Sequence, residues 1–119
     1  MKEGKVVLAA LPQSDGRQKK RPALLLRIMP GYGDCLVCGV SSQLKQTVQG
    51  FDEVITETDA DFVDSGLTTG SVIRLGFLAV WPRSTILGVI GHIEMQRYRR
   101  LIHRLAMYLD DLEAGRFPL

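Results

Sequence analysis

The 119-residue chain has only two cysteines and two histidines, and that scarcity removes most metal chemistry at the outset. The cysteines stand as Cys35-Leu-Val-Cys38, whereas a structural zinc site needs four ligands. His92 and His103 supply no second pair at a familiar spacing. A thioredoxin-type redox pair sits at a helix start, but Asp34-Cys35-Leu36-Val37-Cys38-Gly39-Val40 reads as a strand, where positions i and i+3 face opposite sides. Both cysteines are therefore read as reduced, small apolar residues. No apolar run approaches the roughly 18–20 residues of a membrane helix. The opening Met1-Lys-Glu-Gly-Lys-Val-Val7 runs directly into a strand-like pattern, with no signal-peptide apolar region and no small-residue cleavage site. A cytoplasmic protein with no membrane partner is expected. Internal repeats and low-complexity tracts are also missing.

What is present is an ordinary composition, 45% hydrophobic and 24% charged, sized for one folded domain rather than for disorder. The net charge of +2 implies no partner by itself, but its distribution is uneven. Residues 1–50 carry eight lysines and arginines against three acids, a net of +5. Residues 51–91 carry two against six, a net of −4. A basic N-terminal half can meet phosphate, because steering follows local fields more than the total. The alternative is that mixed charge simply solvates the surface.

Lys5–Leu11 reads as a first strand, followed by a basic loop, Pro12–Lys20, with an Asp-Gly turn signal. Pro22–Ile28 is a second strand with Pro22 at its start, where a missing N–H matters least. The turn cluster Pro30-Gly-Tyr-Gly-Asp34 predicts a hairpin into Cys35–Val40. Phe51–Thr56 is a fourth strand. Thr58–Asp64 reads as a short helix, with Thr58 as N-cap and Asp61 at the third helical position. Ser71–Leu75 and Phe77–Trp81 are strand-like, divided by Gly76 at a bulge or bend, and Ile86–Ile90 is a further short strand. From about Glu94 the period changes. Tyr98, Leu101, Ile102, Leu105, Leu109 and Leu112 form one stripe of an amphipathic helix, which Gly115 and Pro118 bring to an end. Arg97, Arg99 and Arg100 lie at the wrong end of that helix for its dipole. They either have another partner or, on the simpler reading, form a solvated face. The pattern predicts a mainly β fold in one domain, residues 1–119, with a small barrel over about 4–92 and a C-terminal amphipathic helix over about 93–114.

Four segments carry a resemblance. Gly4-Lys-Val-Val-Leu-Ala-Ala-Leu-Pro12 is a strand behind a glycine, and Lys20-Arg-Pro-Ala-Leu-Leu-Leu26 follows a basic loop. Val40-Ser-Ser-Gln43 closes a hydrophobic strand with hydroxyls, and Gly70-Ser-Val-Ile-Arg74 opens a later one. In this order, over most of residues 4–80, they resemble the MazF/PemK family, the endoribonuclease toxins of bacterial toxin–antitoxin modules. The resemblance implies an SH3-like β-barrel, a homodimer and a cognate antitoxin protein. It also implies a sequence-selective cut in single-stranded mRNA that needs neither metal nor cofactor. It carries Arg21 over as the catalytic arginine and Ser41 as the catalytic hydroxyl, with Ser42 the alternative if the register differs by one. Arg74 falls at a basic position seen in some members and is a further catalytic or RNA-binding candidate. Gln18, Lys19, Lys20 and Gln43 are candidates for holding RNA. After Arg74 the chain departs from the family, with apolar residues where members often carry a Gln-x-Arg-Thr-like stretch.

The residue types suit the chemistry. Metal-free cleavage uses the RNA's own 2′-OH as nucleophile and gives a 2′,3′-cyclic phosphate and a 5′-OH. The developing charge needs a cation, which a planar guanidinium supplies through two hydrogen bonds. A serine hydroxyl can both donate and accept. Arginine is almost always protonated, so it suits an acid or electrostatic role better than that of a base. Local pattern alone offers other readings. Arg21 can be a strand-edge arginine paired to an acid, and Ser41-Ser42 a turn or cap pair. Phe77 and Trp81 read as core residues rather than base-stacking rings. His92 and His103 read as surface residues rather than an acid–base pair. Two other functions fit such a fold. One is a gyrase inhibitor resembling the CcdB type, for which the tail Gly115–Leu119 gives no match. The other is an SH3-like adaptor that binds a protein through an exposed apolar edge.

Overall fold

The computed structural model describes residues 2–12 and 14–113. The strands are β1 (Lys5–Pro12), β2 (Gln18–Ile28), β3 (Cys35–Ser41), β4 (Glu53–Ile55), β5 (Ser71–Trp81) and β6 (Ile86–His92). The helices are α1 (Phe62–Ser65) and α2 (Met95–Asp110), with single 3₁₀ turns at Leu44–Gln46 and Arg83–Thr85. All six strands join one antiparallel sheet in the order β4-β5-β3-β2-β1-β6. The mainly β fold with a terminal helix is the one the pattern predicts. The helix stop at Gly115 and Pro118 and the tail Gly115–Leu119 lie outside the described residues. Among the described residues, no helix is long and apolar enough to cross a membrane.

Several boundaries differ from expectation for identifiable reasons. Gln18, Lys19 and Lys20 pair with Pro12, Leu11 and Ala10, so the basic stretch is part strand and Pro22 falls inside β2. Pro22 lies opposite Leu8, one residue before the β3 ladder opens at Ala23. Its missing N–H thus falls where β2 has a neighbour on one side only. The fourth strand shrinks to three residues, and the short helix to one turn. Thr58 does not cap that turn: its hydroxyl bonds Thr56 Oγ1 at 3.0 Å, and Asp61 takes the N-cap position with its carboxylate turned elsewhere.

The sheet buries residues on both faces. Leu24, Leu26, Cys38, Ile73 and Leu75 form the larger core beneath Leu101 and Leu105 of α2. Val7, Ala23, Leu25, Cys35 and Val37 form a smaller one on the opposite face. Cys35 and Cys38 fall in different cores, as their three-residue offset in a strand requires. Both are free and buried, and burial, helped by the charge of Asp52, pushes the Cys38 thiol up to about 12. The edge strands β4 and β6 do not pair, so the expected barrel is an open sheet. Instead α1, which follows β4, packs against β6 backbone to backbone. A Cβ on Gly91 would stand 2.2 Å from the Asp64 carbonyl oxygen, so only glycine permits that approach.

α2 is fixed by charge as well as by its apolar stripe. Leu101 and Leu105 are buried, but Leu109 and Leu112 are 65% and 88% exposed, so the stripe's lower end is uncovered. Tyr98 donates its hydroxyl to the Leu26 carbonyl at 2.6 Å. Arg97 is only 6% exposed, which overturns the solvated-face reading for this residue. Its Nε and Nη2 donate to Asp61 at 2.9 and 3.1 Å, and its Nη1 donates to Glu53 at 2.9 Å. Arg100 and Arg104 also reach Glu53, at 3.1 and 3.2 Å, while Arg99 faces outward. Asp61 accepts the Glu94 N–H at 3.1 Å as well, at the start of α2.

Burial pushes the Glu53 carboxyl up, but the hydrogen bond from Arg100 and the charges of Arg100, Arg97 and Arg104 outweigh it. Burial likewise opposes Asp61, and the Arg97 hydrogen bonds and the Glu94 N–H outweigh it there. Both carboxyls are thus held below their ordinary values of 4.5 and 3.8. A depressed folded-state value means that the stabilisation is complete at neutral pH and is lost as pH falls past the ordinary carboxyl range. Asp61→Ala, which strands a buried guanidinium, is expected to cost about 3–5 kcal/mol at pH 7 in urea unfolding. The gap to the parent protein should narrow below about pH 4. An unchanged midpoint at pH 7 would contradict the role given to this cluster.

Candidate functional site

Alternation along β2 sets Lys19, Arg21, Ala23 and Leu25 on one side of the sheet, away from α2. Val37, Gly39 and Ser41 take the same side of β3. The pairings Ala23 with Gly39 and Gly39 with Arg74 bring β2, β3 and β5 side by side there. Arg21 and Ser41 stand two residues beyond that terminal Ala23–Gly39 pair, each on the same side of its strand as the pair. Lys19, Arg21, Ser41, Gln43 and Arg74 all line one cleft of about 500 Å³, over an apolar floor that includes Ala23, Val37 and Ala79. Gln18 and Lys20 alternate to the other side of β2 and do not line it; nor does Ser42, which lies exposed beyond the end of β3. Gln46, from the 3₁₀ turn after β3, joins the lining without any signal in the sequence pattern.

Ser41 is half-buried, and its Oγ accepts the Gln43 N–H at 3.0 Å. That bond fixes the hydroxyl while leaving its proton to be donated. Arg21 is exposed and forms no ion pair with any described residue, so the strand-edge pairing with an acid is not found. Three cations and no carboxylate line the cleft among the described residues, an arrangement suited to a phosphate chain. Elsewhere, His92 on β6 lies 4.0 Å from Asp64, and His103 is exposed on α2; neither reaches the cleft. No group of three or more His, Cys, Asp or Glu among the described residues could hold a metal ion. A larger, more open hollow of about 830 Å³ runs along α2 beside Arg27. The hydroxyl in its lining belongs to Tyr98 and is committed to Leu26, and Arg100 is committed to Glu53.

β5 changes phase beside the cleft. One step on β3, from Cys38 to Gly39, spans four on β5, from Leu78 to Arg74, so Leu75, Gly76 and Phe77 bulge from the ladder. Leu75 turns into the core under α2, and Phe77 joins Arg74 on the cleft side. Phe77 is therefore not a core residue: it is 59% exposed. Trp81 is half-buried and forms part of the cleft wall. The Phe77 ring rests on Gly39, where a Cβ would come within 2.9 Å of Cδ1. The Arg74 guanidinium carbon lies 5.1 Å from the ring centroid, a cation–π contact. The sequence signal for Phe77 was Gly76 itself, because a bulge reverses the face of every residue beyond it. Gly39→Ala is expected to cost about 0.5–1 kcal/mol, since an exposed ring can swing aside, and to cost nothing in a Phe77→Ala background. A double-mutant cycle by urea unfolding measures this; equal costs in both backgrounds would remove the contact.

A search of the curated proteins returned no sequence match. Among solved structures, the Mycobacterium tuberculosis toxin MazF-mt6 is similar, with a TM-score of 0.62 at 20% identity, covering 89% of this chain and 96% of that one. At that identity the likeness shows a shared fold. A family model for PemK-like, MazF-like toxins of type II toxin–antitoxin systems matches residues 2–109. The chain belongs to that family of type II toxins.

Proposed function

We propose that this toxin is a metal-independent, sequence-selective endoribonuclease that cuts single-stranded mRNA in the cytoplasm, works as a homodimer and is neutralised by a cognate antitoxin. The reading is carried by one observation: Arg21, Ser41 and Arg74 come from three neighbouring strands to a single cleft whose lining, among the described residues, holds no carboxylate. The scissile phosphate sits between Arg21 and Ser41. The RNA 2′-OH loses its proton and attacks phosphorus, the bond to the 5′ oxygen breaks, and that oxygen takes up a proton. The products are a 2′,3′-cyclic phosphate and a 5′-OH. Arg21 places two N–H donors on the non-bridging oxygens as their charge grows. Ser41, held by the Gln43 N–H, donates to the phosphate or orients the 2′-OH. Lys19 and Arg74 meet flanking phosphates, and the Gln43 side-chain amide is placed to bond a base edge.

Incubation with a long RNA in EDTA should yield discrete fragments with 5′-OH ends. Arg21→Ala should lower the cleavage rate by at least about 100-fold, the scale for losing one charge-stabilising donor group. Because Arg21 is exposed and unpaired with any described residue, the unfolding midpoint should not move. Intact RNA, or full cleavage by the variant, would refute the assignment.

A further inference from the structure

The Phe77 ring has an arrangement that packing does not require. It stands in the cleft lining beside the proposed phosphate site, it is 59% exposed, and a three-residue bulge is what delivers it there. Its position is set from two sides. Gly39 leaves room for the ring where any side chain would collide with it, and Arg74 holds it by a cation–π contact at 5.1 Å. A large apolar ring kept in water, over a bare stretch of backbone and beside an arginine, is matched by a flat aromatic ligand that carries negative charge next to it. A nucleotide has that chemistry: its base stacks on a ring, and its phosphate meets a guanidinium.

Resting on the ribonuclease reading, we infer that Phe77 is a stacking platform for one base of the RNA strand, immediately beside the phosphate held by Arg21 and Ser41. Every base has a π-face, so such a platform supplies affinity without reading sequence. The base choice then belongs to hydrogen-bonding groups such as Gln43. Phe77 is a binding residue and takes no part in proton transfer.

The two readings separate in one set of measurements. Phe77→Leu keeps an apolar side chain but removes the ring. It should raise KM for single-stranded RNA about tenfold, within the range for loss of one stacked base, with kcat and the cleavage pattern unchanged. Phe77→Tyr should restore KM. A short single-stranded DNA lacks the 2′-OH and cannot be cut. Its binding, followed through the emission of Trp81, the only tryptophan in the chain, should weaken by a similar factor in Phe77→Leu and recover in Phe77→Tyr. An unchanged KM and DNA affinity in Phe77→Leu would overturn the platform. So would a shift of that variant to a smaller species in sedimentation, which would make the ring part of a subunit contact. Failure of the parent protein to cut any RNA would instead sink the ribonuclease reading, leaving the DNA titration to decide on stacking.

Discussion

A buried guanidinium sets the terms for the rest of this structure. Arg97 enters the interior from the first turn of α2 and meets Asp61, from the approach to α1, and Glu53, at the start of β4. Those three pieces also share one apolar core, through Ile55, Phe62, Leu101 and Leu105. β4 is three residues long and α1 is a single turn, and neither could hold its place by its own backbone bonds. Taking an arginine out of water is costly unless its donors are matched. Asp61 and Glu53 satisfy the fork, and Arg100 and Arg104 add to the neutralisation of Glu53. The same rotation of the helix that meets this geometry seats Leu101 and Leu105 in the core with Leu24, Ile73 and Leu75.

The helix covers one face of the sheet, and the cleft opens on the other. β2 and β3 are buried on both faces along Ala23–Leu26 and Cys35–Cys38, and the two faces separate only at the strand ends. There the apolar residues give way to Lys19, Arg21 and Ser41. The cleft is therefore the rim of the smaller core. Its charged groups stand on strands whose inner halves are locked by packing, which fixes the backbone positions they project from.

Much of this was legible in the residues. Strand positions, the hairpin at Pro30–Asp34, the bulge at Gly76 and the amphipathic helix follow from periodicity and turn chemistry. Arg21, Ser41 and Arg74 are identified through a resemblance, and alternation along β3 explains why Ser41 rather than Ser42 shares the cleft with the arginines. Two features escaped because they depend on long-range geometry. The partners of Arg97 lie 36 and 44 positions away in sequence, and no local pattern announces a buried ion cluster over that span. Phe77 reads as core because its segment is apolar, an inference that holds only while the strand keeps one phase.

The bulge at Leu75–Phe77 divides β5 into two halves that can change independently. Before it, Val72 and Arg74 are bound in register to Ser41 and Gly39, so their placement is tied to the chemistry of the cleft. Beyond it, Ala79 and Trp81 pair with Val37 and Cys35 in a fresh register. The slack residues between absorb differences in size and direction. A strand divided in this way can change its second half in size and direction while the first half keeps Arg74 in register with Gly39, so one wall of the cleft can vary while the other stays fixed.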